Sequence, residues 1–99
     1  MLSREDFVFT TGYNGPIAVV DSKAKRKYGK LSTRELAEKG LFRAAYSSAL
    51  YANNPAEMEF VAEAYNKLRS FQGHSPVEVS TLSRLFGVSL VDVKRSISL

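Results

Sequence analysis

The sequence predicts an α+β fold: an N-terminal β-hairpin followed by four to six helices, mostly helical by mass, closing on a helix-turn-helix-like unit. Three observations carry that expectation. Strand-forming residues crowd positions 7–20 on either side of Asn14 and Gly15; apolar residues between 41 and 71 recur at helical spacing; and Gly87 and Ser89 separate two short apolar runs near the C-terminus. Ninety-nine residues with 44% hydrophobic content suit a single domain over 1–99 that buries about two-thirds of its unfolded surface, and exclude a wholly disordered chain.

The hairpin is expected over 1–21. Phe7, Val8, Phe9, Thr10, Thr11 and Tyr13 are good strand formers, as are Ile17, Val19 and Val20. Asn14-Gly15 is the dipeptide of a type I′ turn, and Pro16, which cannot donate to a ladder, belongs at a strand start. A lone two-stranded hairpin is marginal in water, so it must lie on the helices or pair with a second copy of the chain. That need is the sequence's one hint of a homodimer.

Asp21 and Ser22 open a basic segment, 22–31, whose apolar content is Ala24 and Tyr28. Such a thin apolar face predicts a short exposed helix or turn ending at Gly29. Helices are expected over 32–73. Ser32-Thr33-Arg34-Glu35 is a capping box, and Asn54-Pro55 with Glu57 joins an N-cap, a first-turn proline and a first-turn carboxylate. Leu41, Ala45 and Ala49 with Phe42, Tyr46 and Leu50 make one apolar stripe. Met58, Val61, Ala62, Tyr65, Leu68 and Phe71 make another, which Gly73 and His74 end. Ser75-Pro76 with Glu78 repeats the start signal, although Val77-Glu78-Val79 also suits a brief extended piece before a helix beginning near Thr81.

The unit over 75–99 carries Leu82, Leu85 and Phe86 before Gly87-Val88-Ser89, then Val93 and Ile97. Gly87 can take the left-handed conformation that ends a helix, Val88 can plug the elbow, and Ser89 with Asp92 can cap the next helix. Small Ser83 allows the second helix to cross closely. Residues 80–97 thereby resemble the helix-turn-helix of lactose-repressor-type bacterial regulators, in which a Gly-Val-Ser turn is followed four residues on by a buried valine. The resemblance implies duplex-DNA binding, with Ser89, Lys94 and Arg95 toward the groove and backbone and Arg84 on a phosphate. It also sets Leu90 and Val91 at the groove-facing positions, where an apolar side chain can contact little beyond a thymine methyl.

The net charge of +4 comes from one stretch. Residues 1–21 sum to −2, 22–43 to +6, 44–73 to −1 and 74–99 to +1. Lys23, Lys25, Arg26, Lys27 and Lys30 concentrate that excess, which is the footprint of a phosphate-backbone contact. Together these residues and the C-terminal unit predict a small cytoplasmic nucleic-acid-binding protein, a helix-turn-helix transcription-associated regulator of duplex DNA. Two other readings stay open. In one, the helix-turn-helix is only structural, Leu90 and Val91 are buried, and Tyr46, Tyr51 and Tyr65 furnish a protein-binding surface. In the other, 23–30 binds RNA with Tyr28 stacking on a base.

Catalysis is not expected. The chain has no cysteine, and its one histidine, His74, lies between Gly73 and Ser75 with no carboxylates at ligand spacing. Glu59 and Glu63 share a helix face that Lys67 continues, an exposed charged stripe. No cofactor or metal is implied. No apolar run reaches membrane-spanning length, and the charged residues Arg4, Glu5 and Asp6 do not suit a signal peptide.

Overall fold

A computed structural model describes residues 3–14, 17–86 and 95–98, and its first element is a helix where a strand is expected. Helix α1 spans Arg4–Val8; Ser3 caps it, its side chain accepting from the Asp6 amide, with Glu5 and Asp6 in the first turn. Phe7, Val8 and Phe9 are all buried. Their strand propensity yields to tertiary burial, because one helical turn and its cap point consecutive bulky residues into the core. The hairpin therefore starts later, with β1 over Thr10–Asn14 and β2 over Ile17–Val20.

The register pairs Thr10 with Val20 and Asn14 with Ile17, with an irregularity between Thr10 and Gly12. The residues linking the strands are thus Gly15 and Pro16 rather than Asn14 and Gly15, and both lie outside the described residues. Ala18 and Val20 are fully buried, while Ile17 and Val19 on the other face are half-buried. A third strand, β3 over Arg95–Ser98, pairs parallel to β2, so the sheet order is β1-β2-β3. This answers within the chain the hairpin's need for a further partner.

The strand also corrects the helix-turn-helix-like unit at its far end. Ile97 stands opposite Val19 in a ladder, so no second helix extends over 95–98. Alternating Arg95-Ser96-Ile97-Ser98, with a β-branched residue in the middle, suits the free edge that β2 offers. Gly87, Val88 and Ser89, together with Leu90, Val91, Val93 and Lys94, lie outside the described residues.

Between β2 and β3 run α2 (Ser22–Tyr28), α3 (Thr33–Glu38), α4 (Phe42–Tyr51), α5 (Pro55–Phe71), a 3-10 turn (Val79–Thr81) and α6 (Leu82–Phe86). The start signals act as their chemistry predicts. Ser32 and Glu35 form the reciprocal capping box of α3, and Asn54 caps α5 with Pro55 at its first position. Residues 75–78 form no helix and Glu78 is extended, but Val79, the last residue of the expected extended piece, opens the 3-10 turn. The Asn66 amide bonds both backbone groups of Val77, at 2.8 Å each, and Arg69 Nε donates to the Ser75 carbonyl at 2.8 Å. These side chains replace the turn a helix would have formed there.

Two helices stop on glycine. Gly40 at φ +79° lets the Leu41 amide reach the Leu36 carbonyl, and Gly73 at φ +81° lets the His74 amide reach that of Arg69. Both are the left-handed ending that leaves a following residue free to turn away.

Helix α4 is the hub and packs against α1, α3, α5 and α6. Five consecutive residues, Ala45 to Ala49, are buried, and four of them are Ala or Ser. Small side chains let neighbouring helices approach on every side, and the two serines find partners. Ser47 donates to the Arg43 carbonyl at 2.8 Å; Ser48 Oγ lies 2.8 Å from Thr33 Oγ1 and accepts from Arg4 at 3.0 and 3.2 Å. Tyr46, also buried, bonds Ser83 of α6 through its hydroxyl at 2.7 Å. Tyr65 stacks edge-on against Phe42 and Phe86, and Tyr51 lies 5.7 Å from the Phe7 ring.

Ser48 holds the only hydroxyl that joins α1, α3 and α4 among these bonds, so Ser48→Ala removes the acceptor of Arg4 Nε, leaves Nη2 with the Leu31 carbonyl alone and leaves the Thr33 hydroxyl with Glu57 alone, at 3.3 Å. Urea unfolding should show a loss of about 2 kcal/mol. A loss below about 0.5 kcal/mol would mean the network is peripheral to stability.

Candidate nucleic-acid interface

Helix α2 is short because its sequence starts and stops it within two turns. Asp21, at the end of β2, accepts from the Ala24 amide at 3.1 Å, and the Gly29 amide closes the last turn on the Lys25 carbonyl at 2.8 Å. Gly29 is buried with an ordinary helical φ of −60°. It is needed for space: a Cβ there would press on the Lys25 carbonyl oxygen and meet the Glu5 side chain.

Lys23, Arg26 and Lys27 recur at i, i+3 and i+4, so they share one side of the helix; Lys30 follows two residues beyond its last turn, and all four are exposed. Ala24 and Tyr28 turn to the other side and pack against the core. Lys25 turns away from the cationic side too; its ammonium sits 2.6 Å from Asp6 Oδ1 on α1. Lys27 lies 5.3 Å from the centre of the Tyr28 ring, so little of that ring is left for a base to stack on.

The other cations of the basic stretch divide sharply. Arg43 works inside the fold, donating from Nη1 to the Thr10 carbonyl at 2.6 Å and from Nε to the Phe86 carbonyl at 2.9 Å. Arg34 lies over the Phe60 ring at 4.5 Å. Glu35 is engaged by its capping box and does not fold back over α2. Arg84 on α6 is exposed. Arg95 is the first residue of β3 rather than part of a helix, and Ser89 and Lys94 lie outside the described residues.

A residue that gives no signal in the sequence places α2. The Arg4 guanidinium donates to the Gly29 carbonyl at 3.0 Å and the Leu31 carbonyl at 2.6 Å, while also holding Ser48. It caps the carbonyl end of α2 with a positive charge, where the helix dipole favours one. A lone arginine four residues into the chain does not advertise such a role, because the partners are two backbone oxygens far along the sequence.

Two clefts border this region. One of about 400 Å³ is mostly apolar and runs between α2 and the start of α4; the other, of about 590 Å³, surrounds Arg4, Glu35 and Glu57. Among the described residues no group of acidic, histidine or cysteine side chains could hold a metal, and no helix is long and apolar enough to cross a membrane. Comparison with protein-family models, curated proteins and solved structures finds no match.

Because a Cβ at position 29 meets backbone, Gly29→Ala should destabilise the fold by about 1–2 kcal/mol in chemical denaturation, despite the helical φ. A neutral or stabilising substitution, the usual result for alanine at a helical glycine, would show that the Lys25 carbonyl can give way.

Proposed function

We propose that the chain is a small duplex-DNA-binding protein that grips the phosphate backbone through one face of α2. The observation that carries this reading is the sorting of cations: Lys23, Arg26, Lys27 and Lys30 are exposed, whereas Lys25 and Arg43 are engaged by Asp6 and by backbone carbonyls. From position 23 to 27 the helical rise is about 6 Å, enough to follow about two successive phosphates of one strand, and Lys30 lies just beyond the helix end. Exposed Arg84 offers a further contact. The interface is built for backbone attraction, and the proposed role as a transcription-associated regulator rests on the sequence resemblance around Gly87-Val88-Ser89, which lies outside the described residues.

Titration of a fluorescent random-sequence duplex tests this. Between about 50 and about 200 mM salt, log Kd against log salt should run with a slope of magnitude about 3–4. Replacing Lys23, Arg26 and Lys27 together by alanine should weaken binding at least about tenfold and cut that slope to about 1. Single-stranded RNA of equal length should bind more weakly, since Tyr28 is packed against the core. A flat salt dependence, or unchanged affinity in the triple variant, would reject the α2 interface and favour a protein-interaction module.

A further inference from the structure

Helix α5 leaves a second surface open. Phe71, its last residue, is 91% exposed, and Leu68 one turn earlier is 41% exposed. They wall a groove of about 680 Å³ between α3 and α5, floored by Ala37 and Ala64 and rimmed by Lys39 and Lys67. Phe60 continues the same side of α5 toward its N-terminus, half-buried under Arg34. Apolar side chains that join into one exposed patch with a charged rim mark an association surface.

The charges on α5 say what covers it. Its first half carries Glu57, Glu59 and Glu63, and its second half carries Lys67 and Arg69. Arg69 is drawn inward, to the Ser75 carbonyl and over the Tyr65 ring, while Glu59, Glu63 and Lys67 are exposed. A helix that is acidic at one end and basic at the other is complementary to itself only when the two copies run antiparallel. A parallel pair would set Glu59 and Glu63 against their own duplicates, which repels.

We propose that two copies of this chain associate through α5, antiparallel about a two-fold axis beside residues 65 and 66. Phe71 of each copy then meets Phe60 of the other, Leu68 and Ala64 fill the middle, and Glu63 of each lies by Lys67 of the other. Such an isologous contact makes every favourable pair twice. The dimer does not depend on the reading of α2, although it would double the number of phosphate-binding faces.

Sedimentation equilibrium on the full chain from about 5 to about 500 µM tests it. The wild type should show a monomer–dimer equilibrium within that range. Phe71→Gln, a change at an exposed position that far-UV circular dichroism should show to leave the fold intact, should raise the dimer dissociation constant by about 30-fold or more. Lys67→Glu should weaken it by about tenfold by facing Glu63, and adding Glu63→Lys to that variant should restore it. A monomer at every concentration would overturn the proposal, as would a dimer indifferent to Phe71→Gln. A dimer that loses affinity with Phe71→Gln but shows no rescue by the double charge reversal would overturn the antiparallel arrangement.

Discussion

The Arg4 guanidinium donates to Ser48 Oγ and to the backbone oxygens of Gly29 and Leu31, and the position of α2 follows from that grip. Helix α2 has seven residues and none is fully buried, so the partial packing of Ala24 and Tyr28 gives it little apolar area to hold its place. It is fixed at three points instead: Asp21 at its start, the Lys25–Asp6 ion pair on its flank and Arg4 at its end. Both flank and end contacts are to α1, which is itself anchored by burial of Phe7 and Val8. The contacts that carry the cationic face therefore run through five residues of helix at the beginning of the described chain.

This arrangement changes the meaning of the charge balance. A segment sum of +6 over 22–43 suggests one diffuse basic region, but three of its eight cations are engaged elsewhere in the fold. Arg43 satisfies carbonyls where β1 begins and α6 ends; Arg34 covers an aromatic ring; Lys25 neutralises Asp6. What remains on α2 is smaller and better ordered than the sequence count implies. Three cations on one side of a capped helix and a fourth just beyond its end, with the anion on the opposite flank, make a directional field that an unstructured basic run would not.

Much of the fold was legible because local chemistry decides it. Ser32 with Glu35, Asn54 with Pro55, Gly73 and the thin apolar content around Ala24 and Tyr28 each act within a turn of themselves, and the helices they mark stand where expected. The misreadings share the opposite property. Phe7 to Phe9 look like strand until the core claims them, and the choice the sequence leaves open around Val77 is made by Asn66, from another element. Residues 95–98 become strand because β2, 78 residues earlier, has an edge to fill. Of the candidate site, the cations Lys23, Arg26, Lys27 and Lys30 could be listed from sequence, whereas Arg4 could not: its partners are backbone oxygens, and backbone leaves no trace in composition.

Residue-resolved amide hydrogen exchange in Arg4→Met, against the wild type, tests this dependence most directly. Removing the guanidinium should let α2 open on its own, so the hydrogen-bonded amides of Lys25 and Gly29 should lose protection by about 30-fold while the α5 amides hold theirs. Unchanged protection at Gly29, or an equal fall across α2 and α5, would show that Arg4 is not what holds the helix in place.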